Sequence, residues 1–426
     1  MENRFLISNV KGSLALDSRG HPTVKAVVET AGGRGVALAP SGASKGKREA
    51  VDLRDGGSRW LGKGVERGIA NIRNTIKKAL IGVDVRKQVY IDTLLLTLDG
   101  TQNKSRLGGN VTTAVSIAAA KAAADTLGQP LYAYLGGPQA RLLPAPMLNV
   151  INGGAHAGND LDIQEFMIVP LGADKFIEAM RIAVEVYGNL KKLLVERYGK
   201  TSINVGDEGG FAPPLSRTRE ALDILVESIR RAGYEAGSSV FLALDAAASQ
   251  FYDSRTGKYK IDGGEYTPEE LTDYYSVLME EYPVISIEDP FDEDDWEGFR
   301  YFTSKYGGKV MIVGDDVYTT SIDMLRRGVE GSWTNAVLVK VNQVGTLTEA
   351  IDFTYYAVRR GLKAVISHRS GETEDPFIAD LAVALGTGFI KTGAPARGER
   401  TAKYNRLLEI EEELEPVALF NNSKPL

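Results

Sequence analysis

Val240-Phe-Leu-Ala-Leu-Asp245, Val284-Ile-Ser-Ile-Glu288-Asp289-Pro290 and Val310-Met-Ile-Val-Gly-Asp315-Asp316 are three apolar runs that each end in a carboxylate. Each is short, rich in β-branched or aromatic residues and followed by turn formers, the pattern of a buried strand. If the strands lie parallel in one barrel, their C-terminal acids meet at one rim. Two unit charges about 4 Å apart repel by roughly 4 kcal/mol at an effective dielectric of about 20. Three crowded acids therefore require a cation, and a hard divalent ion with oxygen ligands, Mg²⁺ by default, is the natural one. Taken singly, each acid is only a loop cap at a strand end; the argument rests on three in succession.

The strand-then-helix alternation extends outward from these runs. Strands are expected at 240–245, 284–288, 310–315, 336–341, 363–368 and 388–391, with helical stretches at 268–281, 295–306, 320–328, 346–360 and 375–385. Before them, Met147-Leu-Asn-Val-Ile-Asn152 and Ile163-Gln-Glu-Phe-Met-Ile-Val169 read as two strands in immediate succession, followed by helical stretches near 174–198 and 217–232. The resulting order, ββαα(βα)₆, supplies eight strands, enough to close a TIM-like α/β barrel. A smaller α+β unit precedes it. Phe5 to Val10, Thr23 to Glu29 and Gly35 to Ala39 form a small antiparallel sheet in this reading, and helical periodicity runs from near Val65 to about Leu135. Within it, alanine-rich Val111–Leu127 reads as a tightly packed helix. Gly136-Gly137-Pro138 and the prolines at 144 and 146 punctuate the chain, so the boundary is placed between a capping domain, 1–137, and a catalytic barrel, 138–426.

A chain of 426 residues exceeds what one core usually fills. Its 43% hydrophobic and 25% charged content is ordinary for a globular protein. A formal net charge of -6 argues against nucleic acid or an anionic membrane as the main partner. The chain has no cysteine, which excludes disulfides, thiolate metal sites and cysteine nucleophiles and fits a reducing compartment. Met1-Glu-Asn-Arg-Phe-Leu-Ile7 lacks the long apolar core of a signal peptide, and no run reaches membrane-spanning length. A cytoplasmic protein is expected.

The remaining barrel runs carry polar ends as well. Val337-Leu-Val-Lys340 places a lysine in an apolar strand, Ala364-Val-Ile-Ser-His368-Arg369-Ser370 ends in three polar residues, and Phe389-Ile-Lys391 ends in a second lysine. The expected rim is thus acidic and then basic: Asp245, Glu288, Asp315, Lys340, Arg369, Lys391. Such a field fits a substrate with two negative groups, one on metal and one on arginine. Lys340 is either a stem packed at a strand edge with its head in solvent or a base, which a nearby Mg²⁺ and Lys391 would favour in its neutral form. Glu165, next to Gln164, and Glu208, in the glycine-rich stretch Asn204-Val-Gly-Asp-Glu208-Gly-Gly-Phe, read alone as hydrogen-bonded loop acids. Flanking glycines let Glu208 approach a ligand closely. The three histidines, His156 among them in Asn152-Gly-Gly-Ala-His156, show no ligand-spaced pair, which argues against zinc. Pro40-Ser-Gly-Ala-Ser-Lys-Gly-Lys-Arg48 superficially suggests a P-loop, but the glycine spacing is wrong and no Ser or Thr follows Lys47. It reads as a mobile glycine-serine loop.

Taken together, LDSRGHPTV (16–24), SGASKG (41–46), NGGAHAGN (152–159), DIQEFMIVP (162–170), NVGDEGGFAP (204–213), SIEDP (286–290), VGDD (313–316), LVKVNQVGTLTE (338–349), SHRSGETED (367–375) and AKYNRLLEIEEEL (402–414) resemble the enolase family over almost the whole chain. That resemblance implies the reversible, Mg²⁺-dependent dehydration of 2-phosphoglycerate to phosphoenolpyruvate. It implies that Asp245, Glu288 and Asp315 bind the tighter Mg²⁺. Lys340 would remove the C2 proton, and Glu208, supported by Glu165, would protonate the departing hydroxyl. Arg369 and Ser370 would hold the phosphate, Lys391 and Gln164 would help bind substrate, and His156 and His368 would close over it. Ser41 would help bind a second Mg²⁺ that arrives with substrate. A homodimer or homo-octamer is implied as well. Lys45 and His21 depart from the family pattern, which commonly has threonine and asparagine there; neither carries one of these roles. Two other classes compete: an enolase-superfamily enzyme acting on an acid sugar, which would generally lack SHRSGETED, and a non-catalytic scaffold, which would have lost Lys340, Glu208 or a metal ligand.

Overall fold

The computed structural model describes residues 2–42, 46–154 and 157–426. Its N-terminal unit opens with an antiparallel sheet of β1 (Ile7–Leu16), β2 (Pro22–Thr30) and β3 (Arg34–Leu38) in that order. The first strand runs well beyond the expected Val10, because its pairing with β2 continues to Leu16 opposite Pro22 and Gly12 leaves room for the Ile72 side chain. Helices α1 (Gln88–Asp99) and α2 (Gly109–Leu127) follow. Sixteen of the nineteen residues of α2 are buried, so it has no solvent face. Its alanines let β2 and β3 pack directly on it, and its other sides meet α1 and the barrel helix α8 (Leu347–Arg359). Buried polar side chains fasten that contact: the Leu347 amide donates to Ser116 Oγ at 2.9 Å, and Thr348 donates to Asp92.

Eight strands then close one barrel in chain order: β4 (Ala145–Asn152), β5 (Glu165–Val169), β6 (Phe241–Asp245), β7 (Val284–Glu288), β8 (Met311–Gly314), β9 (Ala336–Val339), β10 (Lys363–Ser367) and β11 (Gly388–Lys391). Outside it lie α3 (Phe176–Tyr198) and α4 (Thr218–Arg231). They are followed by one long helix after each later strand: α5 (Pro268–Glu281), α6 (Trp296–Tyr306), α7 (Ile322–Gly331), α8, which a single turn at Val341–Val344 precedes, α9 (Phe377–Leu385) and α10 (Gly398–Leu414). The order is the expected ββαα(βα)₆. β5 runs antiparallel to both β4 and β6, whereas all other neighbours are parallel. Among the described residues, no helix is long and apolar enough to cross a membrane.

Strand alternation fills the barrel and furnishes its mouth. Side chains two residues apart face the same way. Phe241 and Ala243, Met311 and Val313, Ala336 and Leu338, and Phe389 belong to one apolar cluster inside the barrel. The next residues in those registers are Asp245, Asp315, Lys340 and Lys391. In reversed β5, Val169 and Met167 lie in the cluster and Glu165 ends the same register at the same mouth.

The closest approach in the N-terminal unit is at Gly35, where a Cβ would collide with the Ala118 carbonyl oxygen and the Ala122 amide nitrogen. Neither backbone atom of α2 can swing aside. Gly35→Ala is therefore expected to destabilise by at least about 1–3 kcal/mol. Gly188→Ala, in open space on α3, should instead stabilise by about 0.5–1 kcal/mol. Denaturant midpoints of the two variants check both signs.

Candidate active site

At the C-terminal mouth of the barrel lies a cavity open to solvent. Gln164, Glu165, Glu208, Asp245, Asp315, Lys340, His368, Arg369, Ser370 and Lys391 all line it, joined by Asp289 and Asp316. Glu288 lies directly behind, paired across the strands with Asp245. Lys391 Nζ sits between the acids, at 2.8 Å from Asp245, 2.9 Å from Glu288 and 3.2 Å from Glu165. Burial opposes its charge, but Asp245, Glu165 and Glu288 outweigh burial and hold the ammonium well above its ordinary pKa. Lys340 Nζ pairs with Asp315. Burial again opposes charging, Asp315 outweighs it, and Arg369 is the cation that pushes the other way. Lys340 is thus held protonated here, and the neutral form expected from the sequence requires Asp315 to be neutralised first.

One lysine per acid group is not enough. Burial, and then Glu208, raise Glu165 well above the carboxylate range; burial and Asp245 do the same to Glu288. Burial and Asp316 raise Asp289. Six carboxyl groups line the cavity against three fixed cations. An all-oxygen donor set with surplus negative charge fits a hard divalent ion. Among the described residues, the carboxylates whose oxygens lie within 4.8 Å of one another are Asp289, Asp315 and Asp316, rather than Asp245, Glu288 and Asp315. The physical reason is the lysines, which draw Asp245 and Glu288 to one ammonium and Asp315 to another. Asp289 is already committed: its two oxygens accept the Asp315 and Asp316 amides at 2.9 and 2.8 Å. That brace holds Asp289 at φ 40°, one of four left-handed residues at this rim with Ala247, Thr319 and Thr320.

The other side of the cavity is set for an anion and a proton. Arg369 makes a two-pronged pair with Glu49, both contacts 3.0 Å, and donates to Asn342 Oδ1 at 3.0 Å. Glu208 accepts from Asn149 Nδ2 at 2.9 Å and lies 3.5 Å from His368 Nε2. Its loop is carried onto β4 by the Phe211 amide, which donates to Val150 O. Gly209, at φ 84°, passes close to the Ala396 carbonyl, where a side chain would not fit. Gln164 donates to Asp245 Oδ2 at 3.3 Å.

Residues 7–135 match the family description "Enolase, N-terminal domain", and residues 140–425 match "Enolase, C-terminal TIM barrel domain". The chain belongs to the enolase family. Proteins named enolase share 56% identity with it in three archaea. The one from Thermococcus kodakarensis aligns over 424 residues, 100% of this chain and 99% of that protein. That from Pyrococcus furiosus aligns over 420 residues, 99% and 98%. That from Methanocaldococcus jannaschii aligns over 415 residues, 97% of each.

Of the described residues that the enolase resemblance singled out, one lies apart from the rest. Ser41 is outside the cavity lining: its hydroxyl donates to Asp52 at 3.0 Å and its backbone pairs with Gly371. His156 lies outside the described residues, as does Lys45. His21 meets Lys63 and Asp17 within the N-terminal unit. Glu49, Asp289 and Asp316 are site residues that sequence reasoning did not select. Only the doubled acid of Asp315-Asp316 and the Glu288-Asp289-Pro290 turn hinted at two of them.

Burial, then Asp315, push Asp316 up to about 7, above an unfolded value near 3.9. The folded state therefore binds the extra proton between those values. The stabilisation is complete below about pH 4 and is lost as pH rises through about 7. In chelator, unfolding midpoints are expected to fall between pH 5 and 7.5, and Asp316→Asn should flatten that slope.

Proposed function

We propose that this chain is an enolase, a hydro-lyase that interconverts 2-phosphoglycerate and phosphoenolpyruvate in glycolysis and gluconeogenesis. The observation that carries the reading is the single cavity in which Lys340, Glu208, Arg369 and a surplus of carboxylates meet. A proton beside a carboxylate is weakly acidic, because its removal places a second negative charge on that carboxylate. Lys340, immediately after β9, is the base for the C2 proton. Glu208, in the loop docked on β4, is the acid for the 3-hydroxyl, with Glu165 beside it. The two enter from different strands, so proton removal and proton delivery need not compete for one position. Arg369 presents a planar fork suited to phosphate, and Ser370 follows it at the cavity wall. Lys391 and Gln164 add donors for the substrate carboxylate side, and His368 and His156 are assigned to its enclosure.

Asp245, Glu288 and Asp315 are the residues proposed to hold the tighter metal ion. That ion, read as Mg²⁺ with a second one arriving with substrate, would supply positive charge where the carboxylate charge develops. The surplus of carboxylates supports a cation. Ser41, whose hydroxyl donates to Asp52 and accepts from Arg54, is the residue proposed for the second position. A boundary between capping domain and barrel at 137/138, a cytoplasmic location and a dimer or octamer are proposed on family membership and on the sequence; solution mass tests the last.

Phosphoenolpyruvate absorbance should rise when protein meets 2-phosphoglycerate with Mg²⁺ and stay flat in chelator. Lys340→Ala should abolish C2 proton exchange, lowering turnover at least about 10²–10⁴-fold, while substrate still binds. Exchange that persists in that variant would show that another group is the base.

A further inference from the structure

The first turns of α10 bring two cations into the interior behind the rim. Arg400 and Lys403 have no exposed surface. Lys403 is fully occupied: its three protons go to Glu372 Oε2 at 2.9 Å, the Glu399 carbonyl at 2.8 Å and the Thr373 carbonyl. Arg400 reaches further. Its Nη2 donates to the Asp207 carbonyl at 3.0 Å and the Ser370 carbonyl at 2.6 Å; its Nη1 donates to the Arg369 carbonyl at 2.7 Å. The remaining contact of Nη1 is Nδ1 of His368, at 2.6 Å. One guanidinium therefore ties the residue before Glu208 to the segment that carries His368, Arg369 and Ser370.

The contact at Nδ1 has a chemical consequence. A guanidinium has donors and no acceptor, so Nδ1 must offer a lone pair. His368 then carries its one proton on Nε2, the nitrogen that faces Glu208 Oε2 at 3.5 Å. Burial holds this imidazole well below its ordinary pKa, with Arg400 and Lys391 adding to burial against Glu208, so the ring is neutral. The other tautomer would set donor against donor at Arg400 and lone pair against carboxylate at Glu208.

We propose that Arg400 is a positioning residue for the reaction: by occupying Nδ1 it fixes His368 as the Nε2–H tautomer, which turns a proton rather than a lone pair toward Glu208 3.5 Å away and so sets the electrostatic surroundings of that acid. The proposal rests on the reading of Glu208 as the acid. It adds a residue that touches neither substrate nor metal.

Protein labelled with ¹⁵N-histidine has only three histidines to assign, His21, His156 and His368, and His368→Gln identifies the third. His368 should show a protonated Nε2 and a bare Nδ1 from pH 6 to 8. Arg400→Met should mix the tautomers and lower kcat by about 10²-fold, with KM within about threefold. Arg400→Lys, which keeps one donor, should restore the tautomer and most of the turnover. Lys403→Met, the neighbouring buried cation, should lower the unfolding midpoint yet leave the His368 signal unchanged. A proton on Nδ1 in the wild-type protein overturns the proposal even if Arg400→Met fails to fold. So does a folded Arg400→Met enzyme with unchanged signal and kcat. Absence of turnover in the wild-type protein would instead overturn the reading of the site, because the tautomer is measured without substrate.

Discussion

An ammonium buried among carboxylates is the interaction on which this molecule's mouth depends. Lys391 joins the ends of β5, β6, β7 and β11 through Glu165, Asp245 and Glu288, all nearly excluded from water. Removing one member of such a group leaves an uncompensated buried charge, typically a loss of about 3–5 kcal/mol. The compensation is also incomplete, since Glu165 and Glu288 keep their protons well above the usual range despite the lysine. The same shortfall is what would let the rim take up a cation. Stability and chemistry are therefore drawn from one set of charges.

Much of this could be seen in the chain itself, and the period of two explains which parts. Asp245, Asp315, Lys340 and Lys391 each follow an interior apolar residue by two positions, so a strand assignment alone places them at the mouth. Glu165 could not be placed that way. It begins its strand, and only the reversal of β5 brings that beginning level with Asp245. Direction is a property of the closed sheet rather than of a five-residue run. Arg400 was invisible for a related reason. Nothing in Gly398-Glu-Arg-Thr-Ala-Lys403 distinguishes a buried arginine from a solvated one, and its partners lie some thirty residues back.

The rim is also where backbone strain gathers. Ala247 and Asp289 follow the acids of β6 and β7 in left-handed conformations, and Thr319 and Thr320 do so after β8. Such conformations cost on the order of 1–3 kcal/mol each and persist only when their surroundings hold them. For Asp289 the holding force is visible in its two bonds to the amides of Asp315 and Asp316. Those bonds turn the chain so that Asp315 faces Lys340 and Gln343. Asp289 is thus better understood as the brace that aims Asp315 than as a member of an acidic triad.

The N-terminal unit is part of the site for electrostatic reasons as well as steric ones. Arg369 is 4% exposed, and a guanidinium cannot shed its charge to suit a buried position. Glu49, from the opposite side of the cleft, supplies the balancing carboxylate with the two-pronged geometry that a phosphate would use. Burial opposes the charge on Arg369, and Glu49 outweighs it. The cavity is thereby near balance on its basic side and overloaded on its acidic side. An anion that takes the Arg369 fork must compete with Glu49, and that exchange returns a carboxylate to the acidic half. Anion binding and cation binding at this mouth would consequently be linked, because each would change the charge that the other meets.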